Sequence, residues 1–125
     1  MAIIKTSYKG GLSTSTDYPL SASPILTQSS PFGPTDLFTA SLGNCIVTYV
    51  DYIAQKNGFE TPGISVEIKK TMNADGSKVV AFDVHLHLNR DFQPDQKLVI
   101  ENAAQSCPVG NSIDPAIRRT YTFSY

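Results

Sequence analysis

The stretch from Thr35 to Asn57 constrains this chain most. Phe38, Leu42, Cys45, Ile46, Tyr49 and Ile53 recur at three- and four-residue steps, the period of an α-helix. Pro34 suits the first turn of such a helix, and Asp36 puts a negative charge where the helix dipole favours it. The segment KNGFETPG ends it, with Gly58 placed for a left-handed cap. Leu37, Val47, Val50 and Tyr52 make the remaining faces apolar as well, so a helix buried on most sides is expected.

What flanks this helix reads as sheet. Residues 3–30 are rich in Ser, Thr, Gly and Tyr, and KGG and TDYP are turn signals between short β-prone pieces, giving a meander of two or three strands. Beyond the helix, Ile64, Val66 and Ile68 alternate with Ser65, Glu67 and Lys69. Val80, Phe82, Val84, Leu86 and Leu88 alternate with Ala81, Asp83, His85, His87 and Asn89. Asp75-Gly76 is the hairpin signal between the two runs, and one face of the hairpin is polar. Pro94 and Asp95 open a second helix with a stripe of Leu98, Val99, Ala103 and Ser106. At the end Tyr121, Phe123 and Tyr125 alternate with Thr120, Thr122 and Ser124. The class is α+β, with helices packed on antiparallel sheet.

At 125 residues the chain reads as a single domain, residues 1–125. A chain this long buries roughly two-thirds of its unfolded surface and needs no disulfide or metal to fold. Its net charge of −1 gives no pull toward nucleic acid or an anionic membrane. The start, MAIIKTSYKGG, has an apolar run of three residues and no cleavage site, and no run approaches the ~18 residues of a membrane span. A cytoplasmic protein is expected. There two cysteines are more often free, catalytic or redox-sensing than permanently bridged.

Those two cysteines carry the chemistry. Cys45 lies on the long helix and, read locally, fits a small core residue. It stands in the third turn, beyond reach of the helix dipole, so a thiolate there needs a nearby cation or hydrogen-bond donors. Cys107 lies 62 residues later and is followed by Pro108. If PVGNSI opens a helical turn, Cys107 is its N-cap, and free backbone N–H groups would make it the more acidic thiol. Spacing leaves a disulfide open and is not that of a CxxC zinc ribbon. His85 and His87 share a strand face and could share a metal, although zinc wants four ligands and none stands at a convincing spacing. No phosphate loop, Ser-His-Asp set or carboxylate pair stands out.

With both cysteines in view the chain resembles the OsmC/Ohr family of osmotically inducible and organic hydroperoxide resistance proteins. GPTDLFTASLGNC is similar to the family's Pro-x-acid-Leu start and small-residue helix ending on the reactive cysteine. AAQSCPVGNSI is similar to its second signature, a helix end running into Cys-Pro-Val. The resemblance implies an OsmC-like fold in an interwound, swapped homodimer with its sites at the interface. It implies a thiol-dependent peroxidase that reduces small organic hydroperoxides to alcohols, with Cys45 peroxidatic and Cys107 resolving. No cofactor is implied beyond an external dithiol reductant, and neither nucleic acid nor membrane is a partner. Phe32, Phe38, Leu42 and Tyr49 are candidates to line the substrate pocket.

The same family holds an arginine, fixed by a glutamate, against the reactive thiolate. Here the acidic position falls on Thr35 or Asp36, and the 46 residues between Lys9 and Lys56 hold no positive charge. Three readings follow. Lys5, Lys9, Arg90, Arg118 or Arg119 reaches the site from the partner; hydrogen bonds alone support the thiolate; or the protein is a dimeric binding or redox-sensing module without efficient turnover. A buried, uncompensated thiol would have its pKa raised.

Overall fold

Strands β1 (Lys5–Gly10), β2 (Ser13–Asp17) and β3 (Ile25–Gln28) come first in the computed structural model, which describes residues 3–28 and 31–125. They are followed by helix α1 (Pro34–Lys56), the hairpin β4 (Ser65–Met72) and β5 (Val79–His87), helices α2 (Pro94–Ala104) and α3 (Pro108–Asn111), and β6 (Arg118–Ser124). Ser29 and Ser30, the end of the expected meander, lie outside the described residues. The chain divides into two compact units, Met1–Phe38 and Thr39–Tyr125.

In the first unit β1, β2 and β3 pair antiparallel in that order. Gly10 and Gly11 turn the chain between β1 and β2, as KGG foretold. Tyr8, Leu12, Ile25 and Leu26 stay exposed on this small sheet.

In the second unit β4, β5 and β6 form one sheet in sequence order. The β4–β5 hairpin is antiparallel, whereas β6 runs parallel to β5. The expectation of an antiparallel sheet is corrected here. After β5 the chain crosses back through α2 and α3, and a crossover of this length is what returns a strand in the parallel sense. The polar residues Glu67, Asp83 and Thr120 are exposed on one side of the sheet. On the other, Phe82, Val84 and Leu86 join Leu42, Ile46 and Val50 of α1 and Ile100, Ala103 and Ala104 of α2 in the core.

Two helix readings change. The inward stripe of α2 is Ile100, Ala103 and Ala104, continued by Cys107, while Leu98 is 64% exposed and Ser106 exposed. The steps of three, four and seven from Ile100 fit one helix face better than those from Leu98 do. α1 buries one stripe, Leu42, Gly43, Ile46, Val50 and Ala54, rather than most of its sides; Tyr52 is 52% exposed. By length and apolarity α1 could cross a membrane, with a mean hydropathy of 1.2. Its buried stripe is instead spent against β5 and α2 in the core. The helix ends as expected. Gly58 takes φ 83°, its N–H donates to Gln55 O at 3.1 Å, and Phe59 N–H donates to Ala54 O at 3.1 Å.

Candidate active site

Helix α3 is four residues long, and it is what brings the two cysteines together. Cys107 is its N-cap, with extended φ −68° and ψ 152°, and Pro108 fills the first helical position. Two successive backbone N–H groups of this turn then go to two different sulfurs. Val109 N–H donates to Cys45 Sγ at 3.4 Å, and Gly110 N–H donates to Cys107 Sγ at 3.4 Å. The thiols are close enough for Cys45 to affect the Cys107 proton, and both are free. Cys45 is half-buried and Cys107 is 1% exposed.

Cys107 caps the turn as foreseen, but the greater acidity expected of it is not what the structure gives. Burial pushes its thiol up, the Gly110 N–H opposes this, and the neighbouring Cys45 pushes it further up. Desolvation outweighs a single backbone donor because the sulfur is almost wholly removed from water.

A cation is also present. Arg119 of β6 donates from Nη1 to Gly110 O at 2.7 Å and counteracts the burial of Cys107. It comes from the same protomer as Cys107. Gly110 is bare on the side that faces these groups. A Cβ there would stand 3.0 Å from Arg119 Nη1, 3.2 Å from Cys107 Sγ and 3.7 Å from Leu42 Cδ1. Next along the same strand face, Tyr121 has its phenol pushed up by burial, with the Arg119 guanidinium beside it working in the opposite direction.

The other candidates are placed elsewhere. Asp36 is engaged at the start of α1, where Oδ2 accepts the Gly33 N–H at 2.9 Å. Arg90 donates to Glu60 O at 2.6 Å and lies over the Phe92 ring. It borders a cavity of 620 Å³ with Gln55, Gly58, Phe59, Glu60 and Pro62, at the far end of α1 from Cys45. Of the proposed pocket residues, Leu42 is wholly buried beside Gly110, Tyr49 packs partly into the core, and Phe32 and Phe38 are each 37% exposed. His85 and His87 share a face as expected, with rings stacked 4.0 Å apart. They are taken up by Ser124 Oγ and Glu67 Oε1 respectively, and no cysteine joins them. Among the described residues no three His, Cys, Asp or Glu side chains are grouped to hold a metal.

Set beside known proteins, this arrangement has a clear home. The sequence profile of the OsmC-like protein family matches residues 27–122. The chain belongs to this family. It is similar to a solved structure from Psychrobacter arcticus 273-4, provisionally named an osmotic stress induced and detoxification response protein. The two share 28% identity and a TM-score of 0.90 over 99% of this chain and 96% of the other. The organic hydroperoxide resistance protein OsmC of Legionella pneumophila has 15% identity and a TM-score of 0.74 over 100% and 97% of the two chains. For OhrB of Bacillus subtilis, an organic hydroperoxide resistance protein, the values are 15% and 0.70 over 99% and 98%. The last two likenesses establish the OsmC-like fold alone. No curated protein matches the chain in sequence.

Proposed function

We propose that the protein is a thiol-dependent peroxidase that reduces organic hydroperoxides to alcohols through Cys45 and Cys107. The observation that carries this is the single turn of α3 with one N–H on each sulfur. Membership of the OsmC-like family supports the reaction class.

Cys45 is the more accessible sulfur and makes the first attack. Its thiolate takes the distal oxygen of ROOH, the O–O bond breaks, and the alkoxide leaves with a proton as ROH. Cys45 is then a sulfenic acid. Cys107 attacks the Cys45 sulfur; an S–S bond forms, the S–O bond breaks, and hydroxide leaves with the Cys107 proton as water. An external dithiol exchanges with the disulfide and restores both thiols. Val109 N–H holds charge on Cys45 before attack and needs no side-chain cation for that. The working unit is a cytoplasmic homodimer.

The test is hydroperoxide consumption with dithiothreitol as donor. Wild type consumes it catalytically, Cys45→Ser is inactive, and Cys107→Ser stalls after one turnover. Activity that survives Cys45→Ser would falsify the assignment.

One observation favours a second reading, a dimeric binding or redox-sensing module. Burial pushes the Cys107 thiol up, which slows resolution. A sulfenic acid that persists in the wild type, with no sustained turnover, selects that reading.

A further inference from the structure

Cys107 has to lose its proton in a place nearly closed to water. An anion there needs compensation close at hand. The groups that face it come from three elements: Gly110 N–H from α3, the Cys45 thiol from α1, and Arg119 with Tyr121 from β6. Arg119 is the cation among them. Its guanidinium is not loose, because Nη1 is anchored on Gly110 O at 2.7 Å, and Gly110 is the residue whose N–H caps Cys107. The absence of a side chain at Gly110 lets Arg119 Nη1 and Cys107 Sγ both approach one point of the backbone, where a Cβ would stand 3.0 Å from the first and 3.2 Å from the second. Cys45 has a different supporter, Val109 N–H.

We propose that Arg119 serves the second chemical step: anchored on Gly110, its guanidinium favours the Cys107 thiolate as that sulfur attacks the oxidised Cys45. The charge in this site is therefore assigned to the resolving thiol. In that step Arg119 stays protonated, and the proton shed by Cys107 leaves in the water released from the sulfenic acid. Tyr121, two residues along the strand, lies close enough to Arg119 for each charge to affect the other. Burial pushes the Cys107 thiol up, and Arg119 is the side-chain charge that pulls against it.

The inference rests on the peroxidase reading for its chemistry, so the experiment separates the two. In a Cys45→Ser background the thiolate of Cys107 is titrated by its ultraviolet absorbance, with Arg119, Arg119→Met and Arg119→Lys. No peroxide is involved. The midpoint should rise in Arg119→Met and return toward that of the parent in Arg119→Lys. In the two-cysteine protein, one equivalent of cumene hydroperoxide is added and two rates are followed. Arg119→Met should slow disulfide formation on the order of tenfold at neutral pH, and by more than it slows peroxide consumption, as expected when an opposite charge is lost beside an acid. The lag should close as pH rises. A merely structural clamp would instead slow both steps at every pH and leave the midpoint where it was.

Gly110→Ala supplies a second variant. Its Cβ crowds both Arg119 Nη1 and Cys107 Sγ, so it should raise the midpoint with the charge still present. An unmoved midpoint in Arg119→Met overturns the inference. A midpoint that moves in a protein that consumes no hydroperoxide keeps the charge assignment and removes the peroxidase reading.

Discussion

Cys45 Sγ accepts a hydrogen bond at 3.4 Å from the backbone N–H of Val109. The donor comes from the turn that Cys107 caps, so the two sulfurs are registered by the same backbone. Removing that N–H should weaken the first attack. In Val109→Pro the ring is tolerated sterically in the first turn of a helix, but the donor is gone. A donor to a charged acceptor contributes about 1.5–3 kcal/mol, so single-turnover peroxide consumption should slow roughly tenfold to a hundredfold. Rapid-mixing measurement with one equivalent of hydroperoxide reads this directly. An unchanged rate in a variant with an unchanged melting temperature would remove the role given to Val109.

Burial of Cys107 also makes stability depend on pH. Folding raises this thiol above its ordinary value, so the folded state keeps a proton that the unfolded chain gives up. The stabilisation is complete below the ordinary thiol value of about 8.5 and is lost as pH rises through the higher folded value. Tyr121 and Tyr125 are likewise raised by burial, but they act with the same sign only near and above their ordinary range of about 10. The urea midpoint of the reduced protein should therefore fall between about pH 8 and pH 10, and Cys107→Ala should lose most of that slope. Parallel slopes in both proteins would contradict the burial account.

How far the sequence alone reveals this arrangement differs from element to element. The long helix is legible because its period runs unbroken from Phe38 to Ile53, and Gly58 marks its end. Cys45 and Cys107 are legible as a pair through two motifs, since nothing local could show that a turn at residue 109 reaches residue 45. The direction of β6 is not legible, because alternation of Tyr121 and Phe123 is the same for either strand sense. Arg119 did carry a signal. It lies two residues before Tyr121 and so shares its inward face, but in sequence it is one of five basic residues named as able to reach the site. How much of α1 is covered depends on what packs round it, and its own residues do not state that.

The inward stripe of α2 separates two apolar residues that look alike in sequence. Ile100 is fully buried and Leu98 is 64% exposed. Ile100→Ala should cost about 2–5 kcal/mol, the lost burial plus a cavity in a core that also holds Phe82 and Ile46. Leu98→Ala should change stability by no more than about 0.5 kcal/mol. Urea unfolding of the two variants decides it, and equal losses would mean that the helix face is assigned wrongly.

The three-stranded sheet of the first unit predicts an assembly. Tyr8 is 66% exposed and Ile25 49%, and the strand pairing puts both on one face of a sheet of only three short strands. A sheet that small needs an apolar face covered to be stable, and apolar exposure of this kind marks an interaction surface. The family resemblance makes a second copy of the chain the expected cover. Sedimentation should therefore show a dimer of the 13.6 kDa chain at micromolar concentration. Ile25→Asp places a charge on that exposed apolar face and should shift the equilibrium toward monomer, because an unpaired charge is costly to bury. Peroxidase turnover should fall with dimer content if the sites are completed across the interface. A wild-type protein that sediments as a monomer, with full turnover, would leave this surface without the partner assigned to it.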